Sequence, residues 1–548
     1  MQTIQKYLHW LDNHILEILA GFLLAFLPLY PKWPLLDVLP GYIVRVRLED
    51  FIVLFTFIIF LVQVKRGKAT IRKNPLFKPI TAYLIIGLLS AISAVVLTQT
   101  VPPEAKHIGK LMLHWARRVE YMSLAFVFFS AVTSTKSIKR IMSVFAVTAL
   151  LVSLYGFGQK YMEWPVYSTM NREFSKGWRL VLTEHARVSS TFAGHYDLAA
   201  FTIVGLMVFA SFTIIVKPYW AKVPFFLAFL SLFATLLLTA SRTSFVAYLL
   251  AITTLILLLT LKVGYKNALL SWLVFMSVSF VGFRSFGSMY DRFASLLKID
   301  RIEKYITDRT DGLWDQIGKS GYIEVPEDLD LVYEPGDSPP RSVTERPKNP
   351  EDDLPADVFE AIPENFPEAS LSGIPATAGT GAEGRQRTYS PTASAVGLSS
   401  AIRFDALWPR AFAAFKKNPL FGTGYSTLVK TEKLEFTEAE STDNDYLRAL
   451  GETGLLGLGS FMFILGLILW KTWKYFTQTK DPILMAFTGA FIAGLIGLMV
   501  NALYIDIFVS SKVAYTLWAL SGLMFGLFTL DSSPNKIKTK KIKKSKKK

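Results

Sequence analysis

The sequence predicts an all-α polytopic integral membrane protein with about twelve transmembrane helices. Of its 548 residues, 51% are hydrophobic and 14% aromatic, and the mean hydropathy is +0.35. The apolar residues are gathered into long blocks, whereas a soluble chain of this length would divide into domains built from shorter amphipathic elements. Lysine and arginine recur in every second connection between the blocks, the pattern of loops retained on the cytoplasmic side.

Taken in order, blocks long enough or nearly so to cross a hydrocarbon core lie near residues 14–32, 50–64, 79–98, 119–134, 139–156, 197–216, 222–240, 243–261, 266–283, 455–474, 483–503 and 512–530. The first has no small-residue cleavage site after a basic stretch, so it is expected to stay as a membrane anchor. Lys65, Arg66, Lys68, Arg72 and Lys73 follow the second block, and Lys136, Lys139 and Arg140 follow the fourth. Lys217 with Lys222, Lys262 with Lys266, and Lys471 with Lys474 continue the alternation. Both termini are therefore expected in the cytoplasm. The segment 157–196, the 241–242 turn and the long stretch 284–454 between the ninth and tenth helices are expected to face outward.

This divides the chain into 1–156 with five helices, 157–283 with an outer loop and helices six to nine, the large extracytoplasmic loop 284–454, helices ten to twelve over 455–530, and a lysine-rich tail at 531–548. Within the large loop, 320–400 is rich in Pro, Gly, Ser, Ala and acidic residues, too poor in core formers to fold alone, and is expected to be disordered or a loose excursion. Its "GTGAEGRQR" lacks the lysine and spacing of a phosphate-binding loop. The net charge of +16 is densest in the tail "KIKTKKIKKSKKK". Beside a membrane helix this reads more simply as anchoring to anionic membrane lipids than as a partner-binding tail, and no nucleic acid is expected. With no cysteine there is no disulfide, thiolate catalyst or Cys-ligated zinc. His107, His114, His185 and His195 form no compact zinc motif, so no metal or other cofactor is expected.

Cations on the outward side break the alternation and need a reason. They are Arg45 and Arg47, then Lys106, Lys110, Arg117 and Arg118 in "EAKHIGKLMLHWARRVEY", then Arg187, Arg242 and Arg403. Ile108, Leu111, Met112 and Trp115 share one helical face while His107, Lys110, His114 and Arg117 share another. That predicts a helix near 105–118 lying in the membrane interface, as a plain connector or as a basic face that helps bind an anionic lipid head group. Arg242 stands at the waist of "LLLTASRTSFVAYLL", with scarcely any loop to carry it. Near hydrocarbon such a charge is costly to leave unpaired. It either snorkels to surface phosphates or an acidic neighbour, or it meets a bound anion. A pyrophosphate suits several arginines, whose planar forks never lose their charge.

After the insertion, "AIRFDALWPRAFAAFKKNPLFGTGYSTL" predicts a short amphipathic helix with Phe404, Leu407, Trp408, Ala411 and Phe415 at apolar spacing, running into a Pro-Gly turn. "STDNDYLRALGETGLLGLG" then enters the tenth block carrying Asp443, Asn444, Asp445 and Glu452. An acidic patch opposite a basic surface suggests acid/base chemistry on an anionic substrate. The plainer reading of Asp443 and Asn444 is a helix cap.

In order and placement, "TASRTSFVAYLL", Arg403 with Trp408 and "KNPLFGTGYS", and "DNDYLRALGETGLLGLG" resemble the O-antigen ligase and polymerase superfamily. "RVSSTFAGHYDLAAF" is similar to that family's segment before a central membrane helix, so the resemblance spans roughly 185–470 without the insertion. It implies a metal-independent glycosyltransferase of GT-C type at the outer face of the bacterial inner membrane, serving surface polysaccharide or lipopolysaccharide biosynthesis in the cell envelope. The donor would be a glycan on undecaprenyl pyrophosphate, and the acceptor a hydroxyl on a glycan or lipid. Carried over, Arg187 and Arg242 bind the pyrophosphate with Arg403 as a weaker candidate; Lys110, Arg117 and Arg118, from the outward basic stretch read above and not from the resemblance, are expected to help bind it. Ligases of the family open the last motif with His-Asn, where this chain has Asp443 and Asn444. Asp443 is the candidate base, Asn444 and Glu452 would orient the acceptor, and Arg242 would stabilise the leaving group. The missing histidine leaves ligase, polymerase and other acceptors open. The rival class is a lipid-linked glycan flippase or transporter, against which stand the lack of an internal repeat and the placement of polar residues at the outer boundary.

Overall fold

The computed structural model describes residues 2–36, 45–169, 174–183, 186–285, 403–428 and 442–531. The insertion at 320–400, most of the 284–454 loop, His185 and the lysine tail beyond Asp531 lie outside the described residues. Twelve long helices appear among them, one over each apolar block. They are α1 (Gln2–Leu29), α2 (Leu48–Lys65), α3 (Phe77–Val96), α4 (Ala105–Ala131), α5 (Thr135–Tyr161), α6 (His195–Ile215), α7 (Tyr219–Leu238), α8 (Arg242–Val263) and α9 (Tyr265–Ser285), followed by the short α10 (Trp408–Lys417) and by α11 (Asp445–Gln478), α12 (Pro482–Asn501) and α13 (Ser511–Asp531). By length and composition, ten are apolar enough to cross a membrane. The exceptions, α2 and α4, have charged residues spread so that no stretch long enough to span is nearly free of them. A two-stranded antiparallel pair, β1 (Pro34–Leu36) and β2 (Val46–Arg47), joins α1 to α2.

Helix starts follow local chemistry. Ser134 caps α5 by accepting from the Ser137 N–H, and Asp481 caps α12 by accepting from Ile483 and Leu484 ahead of Pro482. α6 is apolar all round and sits inside, packed on α7 and α12, while α13 packs on α4. α9 turns Leu269, Leu270, Leu273 and Phe280 outward, a surface suited to lipid chains.

The basic connections gather at one end of the bundle. There Asp12 of α1 meets Arg66 and Lys68 after α2, Glu17 meets Arg140 at 2.6 Å, Lys139 meets Asp481 at 2.8 Å, and Lys262 donates to the Thr477 carbonyl at 3.0 Å. The opposite end joins the C-terminus of α1 to the start of α13. Lys512 donates to the carbonyls of Pro28 at 2.9 Å, Tyr30 at 2.6 Å and Thr191 at 2.6 Å, so all three ammonium protons find acceptors in a buried setting.

The stretch read as an interfacial helix at 105–118 is instead the first half of the continuous α4. Its two arginines find acids inside the fold. Arg117 meets Asp50 at 3.0 Å and Glu120 at 3.4 Å, and Arg118 meets Glu452 at 2.9 Å. A segment whose charges are paired by neighbouring helices can join the bundle at a steeper angle than one that must keep them in the head-group layer.

Candidate active site

The glycine-bearing motifs lock into one another. At Gly454 the backbone of α11 leaves helical geometry (φ 67°, ψ −166°), a conformation that essentially only glycine adopts. The freed N–H groups are taken by the preceding loop, with Leu455 donating to Pro419 O at 2.8 Å and Leu456 to Leu420 O at 3.3 Å. In return Thr423 donates to Gly451 O and Gly424 to Glu452 O, each at 2.9 Å. Gly422 (φ 67°) completes the fit, since a Cβ there would lie 2.5 Å from the Gly451 oxygen. "NPLFGTGYS" is thus a clamp on the broken turn of "GETG".

Glu452 is the hub beneath this clamp and is 1% exposed. Its Oε1 accepts from the Ser426 N–H at 3.0 Å and Arg448 Nε at 3.3 Å, its Oε2 from Arg118 Nη2 at 2.9 Å, and its carbonyl from Ser90 at 2.7 Å. The Arg118 guanidinium also lies 3.9 Å over the Tyr425 ring. Burial pushes the Tyr425 phenol well above its ordinary range, so it stays protonated. A cavity of about 40 Å³, room for a water molecule or two, opens among Arg118, Arg448, Glu452, Tyr83 and Tyr425.

The second constellation brings together segments distant in sequence. Arg242 is the first residue of α8, half-buried, with the guanidinium groups of Arg187 and Arg403 and the Tyr196 phenol within electrostatic reach. Arg187 lies just before α6, where its Nη1 is 2.6 Å from His195 Nε2 and 3.4 Å from the Tyr196 hydroxyl. Arginine can only donate, so His195 accepts through Nε2 and carries its proton on Nδ1. Arg403 comes from a wide helical turn, Arg403–Leu407, leading into α10, and reaches Asp443 at 3.0 Å and the Tyr504 ring at 5.6 Å. Its side chain is 8% exposed, while that of Asp443 is 30% exposed and accessible to a ligand.

Asp443 adopts φ 50°, a left-handed conformation that Asp tolerates better than most side chains. Asn444 is the N-cap of α11: its Oδ1 accepts from Tyr446 and Leu447, and its Nδ2 donates to Leu503 O at 3.0 Å. Of the residues expected to act together, Arg403 pairs with Asp443, and Arg187 and Arg403 lie within electrostatic reach of Arg242. Asn444 is occupied in capping, Glu452 and Arg118 sit in the buried hub, Arg117 is paired with Asp50, and Lys110 is buried in α4. Sequence reasoning missed Tyr196 and Tyr504 beside the arginines. It also missed Asp506, whose only signal is a lone acid in the short connector "LYIDIFVSS".

Residues 226–462 match the family model described as O-antigen ligase, which supports placing the chain in that superfamily. The matched stretch takes in Arg242, Arg403, Asp443 and Glu452 and leaves out Arg187 and Asp506. No curated protein matches the chain.

Proposed function

We propose that the protein is an O-antigen ligase- or polymerase-like membrane glycosyltransferase that moves a glycan from undecaprenyl pyrophosphate to an acceptor hydroxyl at the outer face of the bacterial inner membrane. What supports this reading is that Arg187 and Arg403, from separate segments, lie within electrostatic reach of Arg242, and that Arg403 stands 3.0 Å from the accessible carboxylate of Asp443. Guanidinium groups held in place suit a pyrophosphate, and preorganised donors act most strongly where charge develops as the leaving group departs.

In this reading the reaction is an in-line displacement at the anomeric carbon. The acceptor oxygen forms the new glycosidic bond as the bond to the pyrophosphate oxygen breaks. Asp443 takes the acceptor proton, and the electron pair leaves with the pyrophosphate toward the arginines. Arg187 is steered by His195 and Arg403 by Asp443, so the donor-binding and proton-accepting groups are tied to one another. Asn444 and Glu452 serve as framework: one starts α11, the other holds the clamp. The basic end of the bundle faces the cytoplasm and the arginine end faces outward, as the positive-inside bias favours.

Purified protein in nanodiscs, given a labelled oligosaccharide on undecaprenyl pyrophosphate and a panel of acceptors, tests the reading. Arg242→Ala should lower undecaprenyl pyrophosphate release and glycan transfer at least 100-fold at unchanged thermal stability, about the scale of removing one oxyanion donor. Wild-type transfer by a folded Arg242→Ala protein would sink the assignment. Chain-length analysis of the labelled product separates polymerase from ligase.

A further inference from the structure

We propose that Asp506 is a positioning residue for glycan transfer, setting the carboxylate of Asp443 in place through the backbone that carries it. The inference rests on the reading of Asp443 as base. Asp506 lies in the connector between α12 and α13, outside the stretch that matches the family model. Its carboxylate gathers three successive backbone N–H groups. Thr442 donates to Oδ2 at 3.0 Å, Asp443 to Oδ2 at 3.3 Å, and Asn444 to Oδ1 at 3.0 Å. Consecutive amides converging on one anion form a nest, and a nest requires the unusual left-handed backbone seen at Asp443. Arg448 balances the charge, its Nη1 standing 3.0 Å from Asp506 Oδ2.

Anchoring of the connector does not depend on this contact. The Asp445 N–H donates to Ala502 O at 3.0 Å, Asn444 Nδ2 donates to Leu503 O at 3.0 Å, and the Asp445 carboxylate accepts from Ile507 at 2.7 Å and Phe508 at 2.9 Å. What Asp506 adds is the orientation of the 442–444 peptide planes, and with it the direction in which Asp443 leaves the chain toward Arg403. Asparagine at 506 keeps the shape, but in either orientation its amide NH2 faces a donor, the Asn444 N–H at the Oδ1 position or the Thr442 and Asp443 N–H groups and Arg448 at the Oδ2 position, and the charge opposite Arg448 is lost. The turn would relax, and a shift of about 1 Å in a catalytic group costs on the order of 100-fold in rate.

The test is a double-mutant cycle on the full chain in nanodiscs. Transfer from labelled oligosaccharide on undecaprenyl pyrophosphate is followed at saturating donor, and donor affinity and thermal midpoint are measured on each protein. Asp506→Asn should lower kcat about 10- to 100-fold, with donor Kd within about threefold of wild type. In an Asp443→Asn background, the second substitution should change residual transfer less than about twofold, because a positioner has nothing left to position. Losses that multiply, a wild-type kcat in Asp506→Asn, or loss of donor binding in it would each overturn the inference. Where residual transfer in Asp443→Asn is too small to follow, the kcat-against-Kd split in Asp506→Asn alone decides. Undiminished transfer by Asp443→Asn would instead remove the base assignment, an outcome distinct from failure of the positioning role.

Discussion

Replacing Glu452 by Gln separates a framework acid from a catalytic one. The side chain keeps its shape and one oxygen acceptor, so the change removes the charge and sets one amide NH2 against the donors of Ser426 and Arg448 or of Arg118. Arg448 retains a carboxylate, since Asp506 stands 3.0 Å from its Nη1. Arg118 loses its carboxylate and keeps the His114 carbonyl at 2.9 Å and the Tyr425 face at 3.9 Å, both uncharged. Its side chain is 10% exposed, so water can offset little. Leaving one buried ion without its partner costs about 3–5 kcal/mol, and a desolvated cation–π contact returns about 2. The net expectation is a loss of about 1–3 kcal/mol, or on the order of 1–3 °C in the thermal midpoint of a chain this long. The second arm is Glu452→Gln combined with Arg118→Met, which removes both charges. It should recover at least half of the stability and restore transfer, a coupling typical of residues in direct contact. The assay is thermal unfolding in detergent, with transfer measured well below the midpoint. A Glu452→Gln protein that unfolds like wild type yet has lost transfer would refute the framework role.

Two further outcomes follow from backbone and carbonyl geometry. Gly454→Ala should destabilise by about 1–3 kcal/mol from its dihedral angles alone, and more because the new Cβ would stand 2.6 Å from Phe421 N; Gly459→Ala in the same helix, with nothing within 4 Å, should be neutral or stabilising, and monodispersity on size exclusion after heating compares the two. Lys512→Met should cost about 3 kcal/mol or more, since three carbonyls lose a charged donor, and a thermal midpoint within a degree of wild type would show that this junction does not hold the bundle together.

The twelve helices were legible because each rests on an apolar run, and the periodic loop charges marked which connections lie together. The ends were less legible. α11 begins at Asp445, ten residues before the apolar block at 455, because the polar turns there are bound by Asp506, Arg118 and the clamp loop. The same blindness explains α4. His107, Lys110 and Arg117 look like a face for head groups until Asp50 and Glu120, far off in sequence or a turn away, are seen to neutralise Arg117. In the site, arginines were readable one by one as cations on the wrong side. That Arg403 would reach Asp443, forty residues on, was not, nor was the use of Asn444 as a cap and Asp506 as its counterpart. Periodicity reports which face of a helix is apolar, and carries no record of which acid a loop folds back to meet.

The charge of the arginine cluster bears on the order of events in the proposed reaction. In that reading Arg187, Arg242 and Arg403 face one pyrophosphate together with the Asp443 carboxylate, and Arg242 is half-buried. A pyrophosphate diester brings about two negative charges; once the glycan has left, the remaining monoester carries nearly three, its terminal phosphate titrating near pH 6. The arginines therefore attract the departing group more strongly than the donor, and part of that difference is realised in the transition state, where it accelerates transfer. The same preference makes the lipid pyrophosphate product the tighter ligand. In the proposed reaction, release of that product is then expected to limit turnover. Such a product should raise the thermal midpoint more than an equal concentration of donor, because stabilisation by mass action grows with affinity. Equal stabilisation by donor and product would mean that the cluster does not discriminate between them, and the rate advantage assigned to Arg242 would have to come from positioning alone.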